Sequence, residues 1–366
     1  MDIIEATRQY ETRLAQQIPL VQSDLTRKHQ QMAADSFSFL RATFYRWAQL
    51  FASTCAELAL APAVLAVGDL HIENFGTWRD REGRLIWGIN DLDEACPLSY
   101  ANDLIRLAVS AKLAIDANQL SIDFTAACDA LLTGYTEAMK HPGQPFVLAE
   151  LHSWLRVLAT GDLREPVRFW SQLDQLPTVT EAVPRDAIVA LAEALPENGM
   201  TYRIVHRQAG LGSLGRQRWL ALADWHGGKI ARETKPLVPS AALGAGADSN
   251  KEIFYERLQR EAVRMPDPFL TLQGQWLVRR LAPDCARIEL ASLPQSRDEA
   301  HLLHAMGHET ANIHLASREA LAAVQADLNT RPANWLHEAA KNMAHATTED
   351  WHVWKAGIGG NRTENH

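Results

Sequence analysis

The chain has 366 residues, 47% of them hydrophobic and 22% charged, with a formal net charge of −8. That balance suits a globular chain with a large core and excludes a general polyanion binder, which needs clustered Lys and Arg. No apolar run reaches the ~18 residues of a membrane helix, and neither a signal-type apolar segment nor a nucleic-acid surface is expected.

The first strong pattern is SFSFLRATFYRWAQLFA (36–52), where Phe37, Leu40, Phe44, Trp47 and Phe51 recur in steps of three and four. That spacing predicts a buried amphipathic helix. Pro62 stops the helical pattern, VLAV reads as a short buried strand ending at Gly68, and RLIWGIN (84–90) as a second strand. Helices are expected over about 101–117, from a cap at Ser121 through Tyr135, and near 146–160 and 180–195.

The character changes near residue 199. TYRIVHRQ, RWLALADW and KIARETK are strand-like and separated by glycine-bearing turns, which predicts a β-meander. AALGAGADSN reads as a loop, 251–265 as a helix, FLTL and QWLVRRL as two more strands, 296–346 as helical and 357–366 as a loose tail. The expected organisation is α+β: a helical part over 1–198, a small antiparallel β-rich part over 199–295, and C-terminal helices over 296–366 that return to the first part. Cys55, Cys96, Cys128 and Cys285 are widely spaced with no C-x-x-C pair, which points to reduced core thiols and a cytoplasmic setting.

Two segments carry chemistry. In VGDLHIENFG (67–76), Asp69 and Asn74 stand five positions apart, and Asp91 and Asp93 follow the next strand. Hard oxygen ligands at adjacent loop ends suit Mg²⁺ bound to phosphates. An Asp-x-x-x-x-Asn loop, a strand and a metal-binding Asp also form the kinase catalytic arrangement. On that reading Asp69 is the base, Asn74 and Asp91 hold metal, Asp93 is the alternative to Asp91, and His71 stands near acceptor or phosphate. The plain alternative makes Asp69 and Asn74 turn residues and His71 a structural hydrogen-bonder.

The second segment is AGLGSLGRQR (209–218), with Gly210, Gly212 and Gly215 in G-x-G-x-x-G spacing around Ser213. Glycines let a backbone approach phosphate closely, in a dinucleotide fold before a helix or in a kinase between two strands. The strand-like RWLALADW favours the second context. Lys235 is then the phosphate-binding Lys, with Lys229 as competitor, and Glu256 is its expected partner over Glu252 and Glu261. His301, His304 and His308 fall at helical spacing and are weighed as a structural face against a metal face.

Together SFSFLR, GDLHIENFG, NDLDEA, NDLIRLAVS, GLGSLGRQR, KPLVPS and WLVRRL resemble an uncharacterised bacterial domain family, distantly similar to the aminoglycoside and choline phosphotransferases of the protein-kinase-like fold. The glycine segment follows the Asp69 segment, so the resemblance implies a circularly permuted, two-lobed fold. It further implies an ATP- and Mg²⁺-dependent phosphotransferase, with roles for Asp69, Asn74, Asp91, Gly212, Gly215 and Lys235 and an anchoring role for Asp103. Val67 stands where many phosphotransferases carry His, and Pro236 follows Lys235. The alternatives are a nucleotide-binding regulator without turnover, a nucleotidyl transferase acting on protein, and a dinucleotide-dependent oxidoreductase.

Overall fold

The computed structural model describes residues 1–149, 151–159, 165–244, 252–285 and 298–360. Helices α1 (Ile3–Ala15), α2 (Gln22–Ala34), α3 (Ser36–Ala42) and α4 (Phe44–Thr54) open the chain, followed by the single turn α5 (Ala56–Ala59). Strand β1 (Ala63–Ala66) pairs antiparallel with β4 (Cys96–Ser99). Between them β2 (Phe75–Arg79) and β3 (Leu85–Ile89) form a hairpin that β5 (Phe146–Val147) extends. Helices α6 (Tyr100–Asp116) and α7 (Phe124–Met139) precede β5, and α8 (Ser153–Ala159), α9 (Pro166–Asp174) and α10 (Arg185–Glu193) follow it.

A five-stranded antiparallel sheet comes next, ordered β6 (Arg203–His206), β7 (Trp219–Trp225), β8 (Gly228–Pro236), β10 (Trp276–Leu281) and β9 (Thr271–Gln273). Helix α11 (Tyr255–Glu261) lies between β8 and β9 in the chain, and α12 (Glu299–His314), α13 (Leu321–Thr330) and α14 (Trp335–Gly360) complete it.

The strand RWLALADW does not alternate cleanly because both sheet faces are covered. Trp219 and Ala221 join Trp276 and Val278 under α10, whose Ala187, Ala190 and Leu191 are buried there. Leu220 and Leu222 join Val205, Ala231 and Leu281 under Leu173 of α9. Helices α9 and α10 therefore pack on the two faces of the sheet. The boundary expected at 295 lies outside the described residues.

Helix α6 sits at the centre of the main core, with Leu104, Leu107, Ala108 and Ala111 fully buried. Helix α14 packs on α6 and α4, and Trp354 joins Ile3 and Tyr10 of α1 in a second cluster, so the last helix meets the first. The expected helix 36–52 is two helices broken at Thr43, whose hydroxyl donates back to the Phe39 carbonyl at 2.7 Å. The cap of α7 is Asp123 instead of Ser121: its carboxylate accepts from the Thr125 and Ala126 amides. The helix expected near 146–160 is strand β5 followed by the short α8, and 357–360 continue α14, while the rest of the expected tail lies outside the described residues. All four cysteines are free and buried. Among the described residues no helix is long and apolar enough to cross a membrane.

Two glycines let α7 and α12 meet backbone to backbone. A Cβ at Gly134 would lie 1.9 Å from the His304 carbonyl oxygen, and one at Gly307 would lie 2.0 Å from that of Leu131. Helix propensity favours Ala over Gly by about 1 kcal/mol, but the contact is with rigid backbone and overpacking wins. Gly307→Ala is therefore expected to destabilise the protein by roughly 1–3 kcal/mol in a urea titration; stabilisation would show that the two helices can slide apart at no cost.

Candidate functional site

One polar face of α6 shapes the Asp69 loop. Asp103, fully buried, accepts the backbone N–H groups of Val67 at 2.7 Å and Gly68 at 3.0 Å. Arg106, three residues on, binds Asp69 Oδ1 through Nη2 and, at 3.1 Å, through Nε. Ser110, a further turn along, accepts the Ile72 N–H at 3.0 Å. The spacing 103, 106, 110 puts the three on one helix face. Behind them His314 of α12 meets Asp103 at 3.0 Å and Tyr135 at 2.9 Å. Gly68 has φ +80°, and a Cβ there would sit 2.4 Å from the Glu94 carbonyl oxygen, so only glycine makes this turn.

Asp69 keeps Oδ2 toward the cleft while Oδ1 is held by Arg106. Burial pushes its carboxyl above the ordinary aspartate value, against the pull of Arg106. The Arg106 guanidinium lies over Phe44 and Trp47 and donates to the Leu40 carbonyl at 2.8 Å, which locks its position. His71 lines the cleft, and its Nδ1 accepts the Glu73 N–H at 3.2 Å.

Asn74 braces the two loops. Its Nδ2 donates to the Asp69 and Asp91 carbonyls at 3.1 and 3.0 Å, and its Oδ1 accepts the Asp91 N–H at 2.9 Å. The amide thus ties the two acidic loops together, and one Oδ1 lone pair is left for the metal-ligand role expected of it.

Lys235 of β8 places Nζ 2.6 Å from Asp93 Oδ2 and 3.4 Å from Asp91 Oδ1. The Asp91 side chain is half open to the cleft, whereas the Asp93 side chain is nearly covered and its Oδ1 has no hydrogen-bond partner. Burial and the neighbouring Asp91 push the Asp93 carboxyl up to about 6. The surrounding walls disfavour charge on Asp91 too, but the Lys235 ammonium more than offsets them and holds it below the usual range.

Opposite these loops, β6 and β7 are joined by the glycine turn, with a 3₁₀ turn at Leu211–Ser213. Gly210, Gly212 and Ser213 line the cleft. Gly212 is close enough to the acidic loop that a Cβ on it would lie 3.3 Å from Asp69 Oδ2. Ser213 Oγ accepts from Arg218 at 2.7 Å. Gly215 serves a different purpose from the one expected: it packs beneath Leu25 of α2, and its carbonyl accepts the Val21 N–H at 2.8 Å. The expected Glu256–Lys235 pair is not formed. Glu256 is exposed on α11 because Tyr255 and Leu258 take the buried side, and Lys235 is spent on Asp93 and Asp91.

The acid at the centre of the sheet side is Glu233. It is buried and receives Arg207 at 2.5 Å, Arg218 at 2.6 Å and Arg279 at 2.7 Å. All three arginines line the cleft, and three guanidiniums on one carboxylate leave this wall positive. Arg216 adds a buried cation between Tyr10 Oη at 3.2 Å and Glu94 at 3.3 Å. The whole cleft encloses about 200 Å³. Arg207 and Arg218 flank the glycine turn at matching distances, a signal readable in the sequence.

The histidines of α12 are otherwise engaged. His301 stacks on Trp154 at 3.8 Å, His304 bonds Glu137 at 2.8 Å and His308 meets Phe146 edge-on. Among the described residues no group of three or more His, Cys, Asp or Glu is arranged to hold a metal. Mg²⁺ usually takes only one or two carboxylates and leaves its other positions to water and phosphate. The open Asp91 carboxylate and the unpartnered Asp93 Oδ1 fit that smaller demand.

Burial alone would raise the Glu233 carboxyl; Arg218, Arg279 and Arg207 overcome this and hold it well below the usual range. A depressed folded pKa stabilises above the unfolded value and is lost as pH falls through the folded one. Glu233→Gln is therefore expected to cost roughly 3–5 kcal/mol at pH 7. The gap from wild type should hold down to about pH 5 and narrow only in stronger acid, as read by denaturant titrations across pH; a gap already closing near pH 6 would contradict the assignment.

Residues 20–160 match a family model described as an uncharacterized protein conserved in bacteria (DUF2252). The matched span carries Asp69, Asp91 and Arg106 and ends before the glycine turn and Lys235. Neither a curated protein nor a solved structure matches the chain.

Proposed function

We propose that the cleft is the active site of an ATP- and Mg²⁺-dependent phosphotransferase on a circularly permuted, two-lobed, protein-kinase-like fold. One observation carries the reading. Asp69, Asp91, Asp93 and the glycine turn line the same cavity although about 140 residues of sequence separate the acidic segment from the turn. The setting of the turn supports it: it joins two antiparallel strands, and the Lys lies on the next strand, as in kinases. A dinucleotide fold needs a helix after the turn, and β7 stands there instead. The contact of α14 with α1 makes permutation a mild rewiring.

The chain's residues divide the work. Arg106 fixes Asp69 through Oδ1, leaving Oδ2 to accept the acceptor hydroxyl's proton as its oxygen bonds to the γ-phosphorus. The bond from that phosphorus to the β–γ bridging oxygen breaks, and ADP leaves with the electron pair. A carboxyl raised by burial is the stronger base. Arg207, Arg218, Arg279 and Lys235 supply positive charge to the triphosphate, with Lys235 exchanging Asp93 for a phosphate oxygen. When bound, Mg²⁺ supplies further neutralisation of phosphate charge, and Asp91 and Asp93 would hold it. Positioning and electrostatics then carry most of the acceleration.

A second reading, a nucleotide-binding regulator without turnover, is favoured by the closeness of Gly212 to Asp69, which leaves little space for a γ-phosphoryl group. Thermal shift with Mg-ATP and a phosphoryl-transfer assay separate the two. The phosphotransferase reading expects Asp69→Asn to retain Mg-ATP binding and lose 10²–10⁴-fold in transfer rate. It also expects the wild-type rate to climb with pH through a midpoint above the ordinary aspartate value, since the deprotonated form is active. Mg-ATP stabilisation with no transfer to any acceptor in either protein would support the regulator. Lys235→Met is expected to weaken Mg-ATP binding at least about tenfold; unchanged affinity would remove Lys235 from the site.

A further inference from the structure

The glycine turn is not a free flap. Helix α2 presents one face to it, at positions 21, 24, 25 and 28, a spacing of three, four and seven. The Val21 N–H donates to the Gly215 carbonyl at 2.8 Å, and Leu20 forms an isolated antiparallel bridge with Arg216. Leu25 packs onto Gly215 so closely that a Cβ there would fall 2.3 Å from its Cδ2. Asp24, buried, accepts from Gln208 at 2.5 Å, and Arg27 donates to the same Gln208 at 2.6 Å. Lys28 is 2% exposed, yet its ammonium reaches the Gly212 carbonyl at 3.1 Å from behind the turn.

A buried ammonium is costly unless it is used. Here burial pushes the amine down to about 8, and the stacked Tyr10 and Tyr45 rings lie 5.7 and 6.0 Å from Nζ. The position of Lys28 has a chemical consequence. Lys28 stands outside the cleft wall, whereas Gly212 lines it. Drawing the Gly212 carbonyl toward Lys28 takes an oxygen lone pair away from the space where phosphate oxygens would stand.

We propose that Lys28 is a positioning residue of the site: supported by Asp24 and Leu25 on the same helix face, it fixes the Gly210–Gly215 turn over Asp69 and orients Gly212 for an anionic ligand. The docking of the turn stands on the contacts alone, while its purpose rests on the nucleotide reading above.

The test uses the full chain as wild type, Lys28→Met, Lys28→Arg and Asp24→Asn. Hydrogen exchange without nucleotide reads the docking. Lys28→Met is expected to speed exchange over residues 209–216 by roughly tenfold, with α6 and α12 unchanged and protection recovered in Lys28→Arg. Equal exchange over 209–216 in wild type and Lys28→Met overturns the docking. If Lys28→Met does not fold, Asp24→Asn, which loosens the same turn through Gln208, decides by the same readout. Mg-ATP titration calorimetry reads the purpose: Lys28→Met is expected to bind about tenfold more weakly. Equal affinity overturns the orienting role, and a wild type that binds no Mg-ATP overturns the nucleotide reading, with exchange still deciding the docking.

Discussion

The site depends on a carboxylate that never meets water. Asp103 accepts the two amides that lead into Asp69 and a third bond from the Asn102 side-chain amide, and it meets His314 as well, so four groups surround its carboxylate in the centre of the molecule. Leaving such a group unpaired would cost several kcal/mol, and so the loop, α6 and α12 are bound to one arrangement. The next turns of α6 add Arg106 to Asp69 and Ser110 to Ile72. A single helix thus sets the backbone of the turn at Val67 and Gly68, the orientation of the Asp69 carboxylate and the turn at Ile72 that precedes β2.

The opposing wall is built on the reverse charge pattern. Glu233 gathers three arginines, and that excess of positive charge faces two aspartates already sharing Lys235. On the proposed reading, anionic oxygens would meet the arginines and a cation would meet Asp91 and Asp93. A ligand that brings a polyanion and a divalent ion together answers both demands, and a small cleft of fixed geometry favours it more than either alone.

Much of this was legible in the sequence, for identifiable reasons. Period-three-and-four patterns located α4, α6 and α7, and the glycine-punctuated short strands located β6, β7 and β8, because local periodicity fixes which face is buried. The acidic loop and glycine turn were visible as spacings. What sequence could not supply was pairing across distance. Glu256 looked available on its helix, but the Lys235 charge was satisfied by the aspartates across the cleft. Gly215 completed a motif, yet its close approach is to Leu25 in a helix that carried no signal beyond Asp24, Leu25 and Lys28 on one face. Leu220 and Leu222 blur the alternation of β7 because α9 covers the face they occupy.

The most direct test of the shared site is a crystal structure of the chain with Mg²⁺ and a non-hydrolysable ATP analogue. The account predicts triphosphate lying between the Gly210–Gly215 backbone and Asp91, with density for a metal ion on Asp91 and Asp93 and the Lys235 ammonium turned onto a phosphate oxygen. Analogue bound elsewhere, or a cleft that stays shut with Lys235 still on Asp93 at saturating ligand, would contradict it.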